Sequence, residues 1–156
     1  MELKESNAKK FEAVRESLKG VFKSKRLQRS FSLLENTIKN KRFLKNCEWL
    51  LFYENEKVIG FTLLKYQGGR EICIVTIDKL GALTKRKFGR EALKLITERS
   101  LIWKKKQYPD SSLILYTEAD RSSLEFWKKM GFEIEQYRNV EQHWVLRYYV
   151  KESWWF

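Results

Sequence analysis

One proline, two cysteines and one histidine in 156 residues leave the chain poor in residues that break, staple or ligate. Seven glycines and a lone proline argue for long regular elements joined by short turns. Cys47 and Cys73 stand far apart, and neither has a second Cys or a His at metal-ligand spacing, which argues against a zinc site or a disulfide framework. Nowhere do about 18 apolar residues run together, the length a membrane-crossing helix needs. The opening MELKESNAKK lacks the apolar stretch of a signal peptide. The expectation is a cytoplasmic protein with reduced thiols and no membrane partner.

Acidic residues are also in short supply, with 20 Asp+Glu against 32 Lys+Arg, a formal net charge of +12. The excess is uneven: residues 1–46 carry 13 Lys+Arg against 5 Asp+Glu, a net of +8. Such a field attracts anions, whether nucleic acid, the ribosome, an acidic protein or a polyphosphate cofactor. The plainer reading is a set of solvated, lysine-rich helix faces. What the chain has in quantity is hydrophobic surface, 43% of residues, with 15% aromatic, which is a globular balance. Its length suits a single domain over 1–156, with a basic helical part at 1–46 and a sheet-bearing part at 48–150.

Apolar residues at Phe11, Val14, Leu18 and then Val21 or Phe22, and again at Leu27, Phe31, Leu34 and Ile38, recur at helical spacing. Two amphipathic helices, or one interrupted near Gly20, therefore open the chain, and Met1 to Leu3 is a candidate short strand. EWLLFYENEKVIGFTLLKY reads as a β-hairpin turning at ENEK, and EICIVTIDKL as a strand covered on both faces. Phe88, Ala92, Leu95, Ile96, Arg99 and Trp103 mark a long helix that Pro109 closes off. SLILYTE is then a buried strand and ADRSSLEFWKKMG a helix, with Asp120 as candidate N-cap and Gly131 at C′. FEIEQYR and EQHWVLRYYV pair antiparallel, leaving the aromatic tail ESWWF, which as an exposed patch would favour a homodimer. The order describes an α+β fold whose mixed, mostly antiparallel sheet is flanked by helices and turns parallel around the long helix.

Joined to that order, two segments resemble the GNAT family of acetyl-CoA-dependent N-acetyltransferases: IVTIDKLGALTKRKFGREALKLI and LILYTEADRSSLEFWKKMGF. The first is similar to the family's pyrophosphate-binding helix start. Read without gaps, Gly89 holds its final glycine, Lys87 replaces the first, and Thr84 stands where Arg or Gln is usual; a second register pairs LGAL with the strand end. In the second segment Asp120 falls where the family has Asn, Ser123 where it has Ala and Trp127 where it often has Tyr, while Gly131 and Phe132 match. The resemblance implies a cofactor, acetyl-CoA, held by Ile77, Leu80, Lys85, Arg86, Lys87, Phe88, Gly89, Arg90, Asp120, Ser123 and Trp127. Physical chemistry supports part of it directly. A helix N-terminus presents unsatisfied N–H groups and a partial positive charge, so the cations Lys85, Arg86 and Lys87 placed there call for an anionic partner.

Acetyl transfer needs a neutral amine, a donor polarising the thioester carbonyl and a proton route. The resemblance assigns the carbonyl to backbone N–H groups around Ile77 to Leu80. Asp78 and Glu71 are the candidate bases, and Tyr137 or Tyr116 could protonate the thiolate. Trp127 cannot, because an indole N–H does not release its proton near neutral pH. His143, alone in an aromatic strand, reads as a packed or edge residue rather than a catalyst. The acceptor is expected to be an amine on a small molecule, peptide or protein. The alternative is a GNAT-like module of weak or lost activity that binds RNA, the ribosome or an acidic protein through residues 1–46.

Overall fold

The computed structural model describes residues 1–5, 32, 46–82, 88–140 and 142–151. The helices expected within residues 6–45, the basic Lys85 to Lys87 and the aromatic tail lie outside them. Among the described residues, seven strands and two helices follow in the order β1 (Glu2–Glu5), β2 (Cys47–Glu54), β3 (Lys57–Gln67), β4 (Ile72–Ala82), α1 (Gly89–Gln107), β5 (Ser112–Ala119), α2 (Leu124–Lys129), β6 (Glu133–Arg138) and β7 (His143–Val150). They form one seven-stranded sheet ordered β1-β2-β3-β4-β5-β7-β6. The β1–β2, β5–β7 and β6–β7 pairs are antiparallel, and β4–β5 is parallel. A parallel pair cannot be closed by a tight turn, so α1 supplies the crossover between its strands.

Tight turns make the rest. Asn55 and Glu56, between β2 and β3, sit at φ 49° and 65°, the two positive values of a type I′ hairpin turn. The chain divides into two compact units, Met1–Leu64 with Lys79–Ala92, and Lys65–Asp78 with Leu93–Phe156. In the first, Leu50, Leu51, Phe52, Phe61 and Leu64 are fully or almost fully buried. Phe88 meets Phe52 edge to face at 4.7 Å. Its ring occupies the space beside Gly60, where a Cβ would lie only 2.5 Å from Phe88 Cζ and 2.8 Å from the Gly81 carbonyl oxygen. The missing side chain at Gly60 is what lets Phe88 seat and fix the start of α1.

In the second unit Cys73, Val75, Ile77, Leu113, Leu115 and Leu146 are buried from the strands. Here the structure departs from the expectation of a β4 covered on both faces. Cys73, Val75 and Ile77 are buried, whereas Ile74 and Thr76 are half-buried and Ile72 is 47% exposed. Helix α1 departs too. Its buried stripe is Ala92, Leu93, Ile96, Thr97, Ser100, Leu101 and Lys104, rotated from the apolar positions read in the sequence. Polar residues can enter the core because each finds a local acceptor. The hydroxyls of Thr97 and Ser100 donate to the carbonyls of Leu93 and Ile96, both at 2.7 Å. Lys104 Nζ donates to the Pro109 carbonyl at 3.0 Å, closing the helix C-terminus with a cation.

Gly60→Ala is expected to destabilise the protein by about 1–3 kcal/mol, because the added methyl displaces Phe88. Chemical denaturation monitored by circular dichroism measures this as a lowered midpoint with an unchanged slope.

Candidate active site

The β4–β5 ladder runs from Ile72↔Ser112 to Ile77↔Thr117 and stops there. The last pair is tied by the Thr117 hydroxyl, which donates to the Ile77 carbonyl at 3.1 Å. Both strands continue past it, β4 to Ala82 and β5 to Ala119. Asp78 and Glu118, both exposed, are the first residues beyond the ladder and fall on one face with Thr76 and Tyr116. Glu71 lies before the start of β4, where its carbonyl accepts the Ser112 N–H at 2.9 Å. Seven residues of extended chain put it about 23 Å from Asp78, so these two carboxylates cannot serve one reaction centre. Of the residues expected to face the thioester, Ile77 is buried and Leu80 half-buried.

At the start of α1, Phe88 is buried, Gly89 half-buried and Arg90 exposed. The Ala92 N–H donates to the Phe88 carbonyl at 3.0 Å, which opens the helical ladder. The amides of Gly89 and Arg90 come before it, at the first positions of the helix.

The segment from Asp120 to Phe132 is built by two local devices. Asp120 Oδ1 accepts the Ser123 N–H at 3.0 Å, the Ser122 hydroxyl at 2.7 Å and the Ser123 hydroxyl at 3.1 Å. This is the N-cap bond read from the sequence, but it caps a turn, and α2 itself begins only at Leu124. At the other end Gly131 sits at φ +97°. Its N–H donates to the Lys128 carbonyl at 3.0 Å, and the Phe132 N–H to that of Trp127 at 3.1 Å. Those two bonds define a Schellman C-cap, completed by Phe132 against Trp127 with ring centroids 5.0 Å apart. Trp127 is only 6% exposed and also packs on Phe126 at 5.1 Å. Met-Gly-Phe thus has a full local explanation in helix termination.

A groove of about 330 Å³ lies over strands β4 to β7, lined by Ile74, Thr76, Tyr116, Glu118, Glu135, Arg138 and neighbours. Glu118 makes two charged contacts there, with Oε1 3.6 Å from Arg138 Nη1 and Oε2 3.1 Å from His143 Nε2. His143, read as a packed or edge residue, faces a carboxylate. Burial, then the neighbouring Glu135 carboxylate, push the Tyr116 phenol above its ordinary value, and Arg147 partly offsets them. Tyr137 takes the other face: it pairs with Trp144 and stacks on it at 4.8 Å, whereas Tyr116 pairs with Arg147. The two tyrosines are therefore on opposite sides of the sheet. Sequence reading missed Glu118, Glu135 and Arg138 because only strand register brings them together, although the alternation in LYTE already set Tyr116 and Glu118 on one face. Among the described residues no His, Cys, Asp and Glu group could hold a metal ion, and no helix is long and apolar enough to cross a membrane.

No family model matches the sequence, and no curated protein matches it. The structure, by contrast, matches solved acetyltransferases. PaiA N-acetyltransferase from Thermoplasma acidophilum, solved with coenzyme A, matches with a TM-score of 0.64 at 16% identity, over 96% of this chain and 98% of that one. An aminoglycoside N(6′)-acetyltransferase from Legionella pneumophila matches with a TM-score of 0.62 at 16% identity, over 94% and 92% of the two chains. A GNAT family acetyltransferase from Elizabethkingia anophelis with acetyl-CoA bound matches with a TM-score of 0.50 at 19% identity, over 70% and 80%. The fold is that of the GNAT acetyltransferases.

Two outcomes follow from this geometry. Gly131→Ala should cost roughly 1–2 kcal/mol in denaturation, since an L-residue is strained at that φ. Tyr116 should ionise above the ordinary phenol value of about 10, and Glu135→Gln should bring it down, as followed by NMR of the labelled ring. A raised native pKa means that the folded state holds this proton more tightly. The associated stability is complete below pH ~10 and is lost as pH rises through the folded value.

Proposed function

We propose that this protein is an acetyl-CoA-dependent N-acetyltransferase that moves an acetyl group onto a primary amine. The observation that carries the reading is a GNAT fold matched over 96% of the chain, together with a parallel ladder that stops while both of its strands continue. The residues present fit coenzyme A. Its phosphates are anionic, and the first turn of α1 begins with the amides of Gly89 and Arg90 beside the Arg90 side chain, preceded in sequence by Lys85, Arg86 and Lys87. Phe88 serves this end by its packing. Backbone groups from Ile77 to Leu80 and the Asp120–Ser123 turn would line the pantetheine arm, with Trp127 as packed support.

Acetyl-CoA supplies an acyl carbon already activated as a thioester. The chain has to deliver the acceptor as a neutral amine, and in this reading Asp78, the residue after the last ladder pair, would take the ammonium proton. As the C–N bond forms and the C–S bond breaks, the departing thiolate needs a proton. Tyr116, held as a phenol at neutral pH, is better placed on that face than Tyr137. Glu71, at the opposite end of β4, has no part in this scheme. The Legionella protein's name gives an aminoglycoside as its acceptor, so amines on small polar molecules are within this fold's reach.

The charge of residues 1–46 favours a second reading, in which the fold binds RNA, the ribosome or an acidic protein with little or no catalysis. Calorimetry separates the two. Acetyl-CoA should bind saturably, and Gly89→Pro should weaken it by about tenfold or more while leaving helix content intact. Proline suits the first position of a helix and removes only one N–H there. Replacing Lys85, Arg86 and Lys87 together by Ala should weaken binding further and flatten its salt dependence. Absence of binding at roughly millimolar acetyl-CoA, alongside RNA binding that weakens as salt rises, would select the second reading.

A further inference from the structure

We infer that the groove over β4 to β7 is a recognition site for a small cationic amine, with Glu135 as its anchor. As an acceptor site it rests on the acetyl-transfer reading; as an amine-binding site it does not. Charge carries the argument first. In a chain of net charge +12, the strand residues on this face of β4 to β7 bear four carboxylates, Asp78, Glu118, Glu133 and Glu135, against two guanidinium groups, Arg138 and Arg147, with His143 beside them. The face therefore reverses the sign of the protein's field locally, which attracts a cation and repels a polyanion.

The carboxylates are not equivalent. Glu118 is already engaged by Arg138 and His143. Arg147 leans over the Tyr149 ring at 5.3 Å and reaches the Tyr116 hydroxyl, but is not among the residues lining the groove. Glu135 lines it and is engaged by the Tyr116 hydroxyl, a neutral hydrogen-bond partner that leaves the carboxylate's negative charge in place. It sits at the bulge in β6 between Ile134 and Gln136, where the register shift turns an extra side chain toward the partner strand. Beside it Tyr116, kept as a phenol, and Thr76 offer hydroxyl groups, while Ile74 and Val145 give apolar surface for the carbon chain of the amine. About 330 Å³ accommodates a small molecule or a single amine-bearing side chain and is too little for a folded nucleic acid.

NMR titration of the protein without cofactor tests this with three probes: butylamine, butyrate and a short oligouridylate. Butylamine is expected to shift the amides of Thr76, Tyr116, Gln136 and Val145 saturably. Glu135→Gln should weaken that binding by about tenfold, and Glu56→Gln, in the β2–β3 turn, should not change it. The inference is overturned if butyrate binds as well as butylamine, if the oligouridylate displaces the amine from these residues, or if Glu135→Gln has no effect. Because no acetyl-CoA is present, failure here leaves the acetyl-transfer reading standing. Failure of acetyl-CoA to bind in its own titration leaves amine recognition standing.

Discussion

The parallel pairing of β4 with β5, and the place where it ends, is the constraint on which the rest of this molecule depends. Parallel strands cannot be joined by a turn, so the chain needs a crossover, and α1 supplies it. The ladder then stops at Ile77↔Thr117 with a side-chain bond from the Thr117 hydroxyl to the Ile77 carbonyl as its last tie. Backbone groups satisfied by pairing have nothing left to offer a ligand; those past the final pair do. Asp78 and Glu118 enter at that point, one on each strand.

Strand alternation does the remaining sorting. Leu113, Leu115 and Thr117 go to the buried face of β5, while Tyr116 and Glu118 go to the face with the groove. The same rule separates Tyr116 from Tyr137, two residues of identical chemistry, by placing them on opposite sides of the sheet. It also explains why acidic residues scattered between positions 78 and 135 of a basic chain gather on one surface. None of them is near another in sequence except Glu133 and Glu135, and a β-bulge decides where Glu135 points.

The stretch SLEFWKKMGF illustrates how a family-like motif can have a complete local cause. Gly131 is required by a φ of +97°, Phe132 closes the Schellman cap against Trp127, and Trp127 is a buried packing residue. Helix termination alone accounts for all three, so this motif supports the fold more strongly than it supports any particular chemistry. The Asp120 turn just before it differs, since three donors converge there on one exposed carboxylate oxygen.

The sequence by itself determined the elements whose physics is local. A short apolar run set β5 and period-two alternation β6 and β7, the Asn55–Glu56 turn closed the hairpin, Pro109 followed the end of α1, and Gly131 ended α2. Each depends only on residues a few positions apart. It did not determine the buried stripe of α1, because Thr97, Ser100 and Lys104 count as polar until their acceptors are in place. Nor did it determine which carboxylates share a surface. Asp78 and Glu71 look equivalent along the chain, yet they flank opposite ends of the parallel ladder, and Glu118 and Glu135 acquire a common groove only through β5–β7–β6 register. Hydrogen bonds between distant strands fix that register, and no local preference encodes where the ladder starts or stops. The tertiary structure therefore decided the site, while the sequence had already decided most of the frame.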